Sequence, residues 1–297
     1  MNDRKQHVIK MAHQLFIEKG YQATSIQEIL DYSGISKGTF YNYFSSKSEL
    51  LIALFKSIFK ELEEERNKLL IGQDRSNIDI FIKQIELQLK TNRANKLFAI
   101  FQEVLVVNDP ELNQFMQNGN LLMLKWLNQR FLDIFGESKK PYLLDCAIMF
   151  MGILHHNIKY YQMAYGEKNT SSYQIVRYSV ERIVHMVADV SIKGDQLIKP
   201  EVLESMLPNI KKNDQTFKEK ISSTTLTLKM LLGNHKEHLK YFELIDFIQD
   251  ELLHSDNPRK YILESTLLSL KEEPFLSKRK ELQTLEQLVD EYFSNKS

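Results

Sequence analysis

An all-helical protein is what this sequence predicts, on three observations. Apolar residues recur at three- and four-residue steps through nearly every segment, no run alternates as a strand would, and ten glycines and six prolines are few for 297 residues. The expected layout is an N-terminal three-helix unit over residues 1–46, a helical core over 47–192 and an additional C-terminal helical region over 193–297. A 43% hydrophobic share over that length suffices to bury more than one core.

The first helix is expected at residues 4–19, where Val8, Met11, Ala12, Leu15 and Phe16 share one face and Gly20 provides the stop. Ser25 opens the second with a capping box, its partner Glu28 lying three residues on, and Ile26, Ile29 and Leu30 supply the apolar face. Gly34 supplies a turn in which a positive φ is tolerated. Ser36 then caps a very short third helix bearing Lys37, Thr39, Tyr41, Asn42 and Tyr43, with Phe40 and Phe44 read as core. So short a helix does not persist alone, so its polar and aromatic display needs an external reason; a helix-turn-helix that presents it to a DNA major groove supplies one. A long helix from Lys47 to about Leu70 follows, apolar at Leu50, Leu51, Leu54, Phe55, Ile58, Phe59 and Leu62.

The core of that stretch, GISKGTFYNYFSSKSEL at Gly34–Leu50, holds a turn glycine, a Ser-x-Gly-Thr opening, an aromatic-Tyr-x-aromatic-Phe run, a Ser-Lys pair and a Glu-Leu helix start, in that order. From about Arg4 to Phe55 the chain resembles the DNA-binding domain of TetR-family bacterial transcriptional regulators. The resemblance implies a helix-turn-helix DNA-binding domain, then an all-helical effector-binding and dimerisation core. It implies a homodimeric repressor on a palindromic operator of double-stranded DNA, released by a small apolar effector. By the same resemblance Tyr41 and Lys47 hold phosphates, Lys37, Thr39 and Asn42 reach base edges, Tyr43 belongs to the reading face, and Gln27 approaches DNA from the preceding helix. The chemistry agrees: lysine donates to guanine, threonine touches a thymine methyl, and a tyrosine hydroxyl bonds a phosphate. The resemblance covers the first fifth of the chain, and carry-over of residue roles stops near Leu70.

Further helices are expected at 78–91, 94–107, 111–135, 141–165 and 172–191, with turns at Asn108–Pro110, Glu137–Lys140 and Gly166–Thr170. The pair 141–165 and 172–191 is long, adjacent and rich in Leu, Met, Ile, Tyr and Val. The resemblance makes it the dimer interface, against the plainer reading of two core helices of one subunit. SIKGDQLIKP at 191–200 reads as a boundary, followed by helices near 200–211, 214–233, 236–254, 258–271 and 275–294, beyond the usual family length. Two apolar sets mark this region: Ile221, Leu226, Leu228, Leu231 and Leu232, then Leu239, Phe242, Leu244, Ile245, Ile248 and Leu252.

Thirty-nine basic residues balance thirty-nine acidic ones, so positive charge for DNA must be local: Arg4, Lys5, Lys37 and Lys47. A modest basic face implies a moderate salt slope and reliance on a dimer. The single cysteine, Cys146, precludes an intrachain disulfide and reads as buried. No apolar run reaches membrane-spanning length and no signal-peptide core follows the amino terminus, so a cytoplasmic protein without membrane contact is expected. The glycosylation pattern Asn169-Thr170-Ser171 is then unused.

Catalysis, metal and cofactor are not expected. Gly34–Gly38 matches the G-x-S-x-G elbow, but that motif needs a preceding strand where a helix is expected. His235 and His238 lie three apart on a face also carrying Lys236 and Lys240, without further ligands. His155 and His156 fall in an apolar helix, so one is expected to point inward. Phe98, Phe101, Met116, Met123, Trp126, Met149, Met151 and Met163 read first as core. The resemblance puts an effector pocket among them, with Phe101, Met123, Trp126, Met149 and His155 as lining and Gln102, Glu103, Asn120 and Asn157 as polar partners. A chromosome-organising DNA-binding protein with the same head and a filled core remains the alternative.

Overall fold

The computed structural model describes residues 3–107, 109–166, 171–207, 212–233, 235–255 and 258–294. Every regular element among them is helical. One compact unit holds residues up to Leu69 and those from Arg75 through the tenth helix; a second holds Leu70–Asp74 with the remaining helices.

The first unit contains α1 (Asp3–Lys19), α2 (Ile26–Ser33), α3 (Lys37–Tyr43), α4 (Lys47–Lys68), α5 (Ile78–Ala94), α6 (Leu97–Val107), α7 (Pro110–Phe135), α8 (Lys140–Tyr165), α9 (Ser172–Lys193) and α10 (Glu201–Met206). It has two cores. The first joins Val8, Ala12 and Phe16 of α1, Ile29 and Leu30 of α2, Phe40 and Phe44, and Leu50, Leu51, Leu54 and Phe55 of α4 to Leu97, Ile100 and Val104 of α6 and Leu112 of α7. The head therefore does not end at residue 46: its core runs on into α4, α6 and α7. The second core is built from Phe81 and Ile85, Leu127 and Phe131, Leu143, Ala147 and Phe150, and Val176, Val180 and Ile183. Cys146 is buried there as read, and its thiol is pushed up to about 11 by burial and by Asp145.

The expected boundary at 191–200 is instead tied down. Asp145 accepts from the backbone N–H groups of Leu197 (2.7 Å) and Ile198 (3.1 Å), and Gln196 donates to the Pro141 carbonyl at 2.7 Å. Leu203 of α10 is buried in the second core, so the C-terminal unit begins later than residue 193.

The second unit comprises α11 (Lys212–Leu232), α12 (His238–His254), α13 (Lys260–Lys271), α14 (Pro274–Ser277) and α15 (Lys280–Ser294). Ile221, Leu228, Ile245, Ile248, Leu263, Leu270, Leu285 and Leu288 are central to its core. Leu239, expected inside, is 69% exposed; Tyr241 is buried instead and its hydroxyl donates to Glu273 at 2.5 Å. The helix expected over 275–294 is two, because Glu273 caps the short α14 and buries Leu276 before the chain turns into α15. His235 and His238 are used locally: His238 Nδ1 lies 2.8 Å from the His235 carbonyl, and His235 Nε2 lies 3.6 Å from the Glu273 carboxylate. Within this unit Gly72 approaches Gly233 closely, so that a Cβ on Gly233 would lie 3.2 Å from the Gly72 Cα. Parts of three readings, the turn at 108–110, the turn at 166–170 and the 169–171 triad, lie outside the described residues.

Candidate nucleic-acid interface

The local chemistry of the head fixes the pose of α3. Ser25 caps α2 from its side chain while Glu28 reaches back to the Ser25 N–H at 2.8 Å, the reciprocal pair expected from the sequence. Lys19 joins this box at 2.6 Å, and it and Ser25 hold the Glu28 carboxyl down at about 2. Gly34 closes α2 in the left-handed region at φ 67°, and Ile35 N–H returns to the Leu30 carbonyl at 3.2 Å. Ser36 caps α3 by accepting from the Thr39 N–H at 3.2 Å.

Phe40 and Phe44 are buried beneath α3, with ring centroids 5.7 Å apart. They orient the opposite face outward. Lys37, Tyr41 and Asn42 are exposed, and their polar ends make no hydrogen bond with a described residue. Tyr41 stands edge-on to Phe40 at 5.4 Å, which holds its ring while the hydroxyl points away. Thr39 is half-buried, its hydroxyl 2.9 Å from that of Ser36, a pairing the sequence reading missed although Ser-x-x-Thr at a helix start is its signal. Tyr43 is half-buried against the first core. Gln27 is exposed, with its amide donating to Asp31 at 2.8 Å.

Lys47 departs from its expected role. Its ammonium donates inward to the Tyr21 carbonyl (2.9 Å) and the Thr24 carbonyl (2.8 Å) and lies 4.4 Å from the Tyr21 ring centroid. Burial lowers its pKa, opposed by the field of Glu103. From the start of α4 its four-carbon side chain is long enough to reach the loop before α2, so it braces the helix-turn-helix.

A second missed feature lies behind the head. Glu103 of α6 accepts from the Gln22 N–H at 2.8 Å, while its own carbonyl accepts from the Gln22 side chain at 3.0 Å. Gly20, at φ 89°, leaves room: a Cβ there would sit 2.7 Å from Glu103 Oε1. Lys96 donates to the Ile17 carbonyl at 3.0 Å, and Ser48 donates to Asp109 at 2.5 Å. Thus α6 and the start of α7 grip the loop between α1 and α2 and the start of α4.

The residues expected around a pocket are dispersed. Phe101 belongs to the head-side core, where Phe55, Phe59, Phe101 and Phe115 pack ring to ring. Met123, Trp126 and Met149 border the second core. His155 is exposed, as are His156, Gln102, Asn120, Phe98 (58%) and Met163 (72%). The inward stripe of α8 runs through Leu143, Ala147 and Phe150, which leaves 155 and 156 off that face; Asn157 is the inward polar residue, donating to Ser179 at 3.0 Å. A surface hollow of about 270 Å³ lies elsewhere, between α5 and α9, lined by Ile78, Ile82, Arg177 and His185 among others. Trp126 carries instead the guanidinium of Arg66, 4.2 Å from its ring centroid.

The family model described as bacterial regulatory proteins, tetR family, matches residues 8–54. The chain is similar to the HTH-type transcriptional regulator YerO of Bacillus subtilis (strain 168), 27% identical over 91% of this chain and 90% of that protein. It is similar also to YuxN of the same organism, another HTH-type transcriptional regulator, 24% identical over 94% of this chain and 95% of YuxN. Likenesses of that extent take in the core and the C-terminal unit as well as the head. A third, the transposon Tn10 TetC protein of Escherichia coli, is 47% identical over 17% of this chain and 26% of its own length. No solved structure matches the chain.

Proposed function

This chain belongs to the TetR family of bacterial transcriptional regulators, and from that premise we propose that it is a homodimeric repressor whose two α3 helices read a palindromic operator. The observation that carries the reading is the outward face of α3, where Lys37, Tyr41 and Asn42 stand exposed on the buried Phe40–Phe44 platform. Tyr41 takes a phosphate, and Lys37, Thr39 and Asn42 meet base edges. Lys47 holds the frame that aims them.

Dimerisation runs through α8 and α9. Their free faces carry Ile148, Tyr160, Met163, Tyr178 and Ile192, from 39% to 84% exposed, more apolar surface than two adjacent helices of a monomer usually leave to water. A small molecule with an apolar body binds the core and shifts α4 and α6, and the grip of Glu103 on Gln22 carries that shift to the head. The protein thus acts by binding rather than catalysis.

The test is selection of bound fragments from the source genome, then footprinting with the full chain. A protected inverted repeat beside a promoter is expected. Binding spread over many sites without sequence preference overturns the operator reading in favour of a chromosome-organising protein.

A further inference from the structure

Arg66, near the end of α4, is set between α5 and α7 with no carboxylate bonded to it. Its Nη1 is 3.4 Å from the Gln88 amide oxygen and 4.0 Å from the Met123 sulfur, both weak partners for a cation. Its Nε is enclosed and has no acceptor, and no described residue accepts from Nη2. The Trp126 ring covers one face of the guanidinium, which offsets part of the desolvation but supplies no charge. Glu63, three residues back, acts on it only through space; burial lowers the pKa of the guanidinium to about 10.

A half-buried cation whose enclosed Nε lacks an acceptor is unfavourable unless something completes it. The edge left without an acceptor is Nε–Nη2, the edge of a guanidinium that holds a carboxylate in two parallel hydrogen bonds. Beside it lie Met123 and Trp126, apolar, half-buried and on neighbouring turns of α7. Such a place takes a charged head on one side and an apolar body on the other. A neutral oxygen can accept from that edge but brings no opposite charge, and a cation is repelled by it.

We infer that the Arg66–Trp126 pair seats the head of the effector, and that the effector is an organic anion, a carboxylate on an apolar body. This rests on the effector-sensing reading above and narrows it. Connections to the rest of the core already exist: the Arg66 carbonyl accepts from Gln84 at 2.9 Å, and Gln84 accepts from the buried Arg130 at 3.0 Å. An anion arriving at Arg66 therefore acts on the far end of the helix whose first residues brace the head.

The experiment titrates the full chain with decanoate, decanol and decyltrimethylammonium while following the emission of Trp126, the single tryptophan. Decanoate is expected to shift the emission saturably at concentrations about tenfold or more below decanol, with no response to the cation. Arg66→Met is expected to abolish that gap, and Arg66→Lys, which keeps the charge but not the fork, to retain part of it. Circular dichroism checks that each variant is folded; should Arg66→Met unfold, the wild-type anion preference and the Arg66→Lys titration decide. Equal response to decanoate and decanol, preference for the cation, or an unchanged gap in a folded variant overturns the proposal. Anisotropy of labelled operator separates this from the broader reading. Decanoate binding that leaves DNA affinity unchanged removes the effector role but keeps the anion seat, whereas operator binding with no emission change removes the seat and keeps the repressor.

Discussion

Tyr41 and Thr39 lie two residues apart on α3, and the structure gives them different freedom. The Tyr41 hydroxyl bonds no described residue, whereas Thr39 is anchored to Ser36 at 2.9 Å. Tyr41→Phe is expected to weaken binding to operator and unrelated DNA by the same factor. Thr39→Ala is expected to change which base is preferred at one position, by about 1–3 kcal/mol of discrimination. Anisotropy against a set of single-base operator variants checks both, and an identical preference profile in the two variants removes the division of roles. Glu28 offers a pH signature. Its carboxyl sits at about 2 against an ordinary 4.5, so its contribution is whole above pH 4.5 and is lost as pH falls toward 2. The difference in Tm between wild type and Glu28→Gln at low salt is expected to shrink over that interval and stay flat from pH 5 to 7. At this scale the sequence was legible where chemistry is local: Ser25–Glu28, Gly34, Ser36, Phe40 and Phe44 all stand as read. It was not legible where partners are distant, since nothing near Lys47 indicates the carbonyls of Tyr21 and Thr24, and nothing near Arg66 indicates Trp126.

On the proposed effector reading, helices rather than single residues would carry the signal through the molecule. The 22-residue α4 is roughly 33 Å long, so a small tilt at Arg66 becomes a larger displacement at its head-bracing start. The contact of α6 with the head through Glu103 and Gln22 is the second link in that proposed route. Glu103→Ala is expected to leave effector binding intact while reducing effector-induced loss of DNA affinity, which in such proteins is about 5–150-fold, by severalfold. Paired Trp126 titrations and operator anisotropy measure the two halves, and an undiminished response means α4 alone transmits. The short α3 depends on its platform, so Phe40→Ala is expected to lower stability by about 3–5 kcal/mol in urea unfolding. Helix periodicity located almost every element within a few residues. It missed which face of α8 turns inward near residue 155, because His, Met and Tyr alternate there without a clean apolar stripe.

Taken whole, the chain folds as two units, and their limits are not those of a left-to-right reading. Leu70–Asp74 belongs with the C-terminal helices although α5 follows it at once. The close approach of Gly72 and Gly233 lets a five-residue turn do this, since Gly233 has no side chain to press on the Gly72 backbone. Gly233→Ala is expected to lower Tm by forcing those backbones apart, at about 1–3 kcal/mol; an unchanged Tm means the turn yields freely. No composition shift marks 70–74 as part of a distant unit, which is why the sequence placed the seam elsewhere.

That interrupted unit bears on how such a chain can be inherited. A tail of helices can be gained or lost in one event at the end of a gene. A unit that also owns five residues from the middle cannot, because removing the tail orphans the turn and altering the turn unsettles the tail. The two stretches are expected to vary together among relatives, such as YerO and YuxN, that are similar along nearly their whole length.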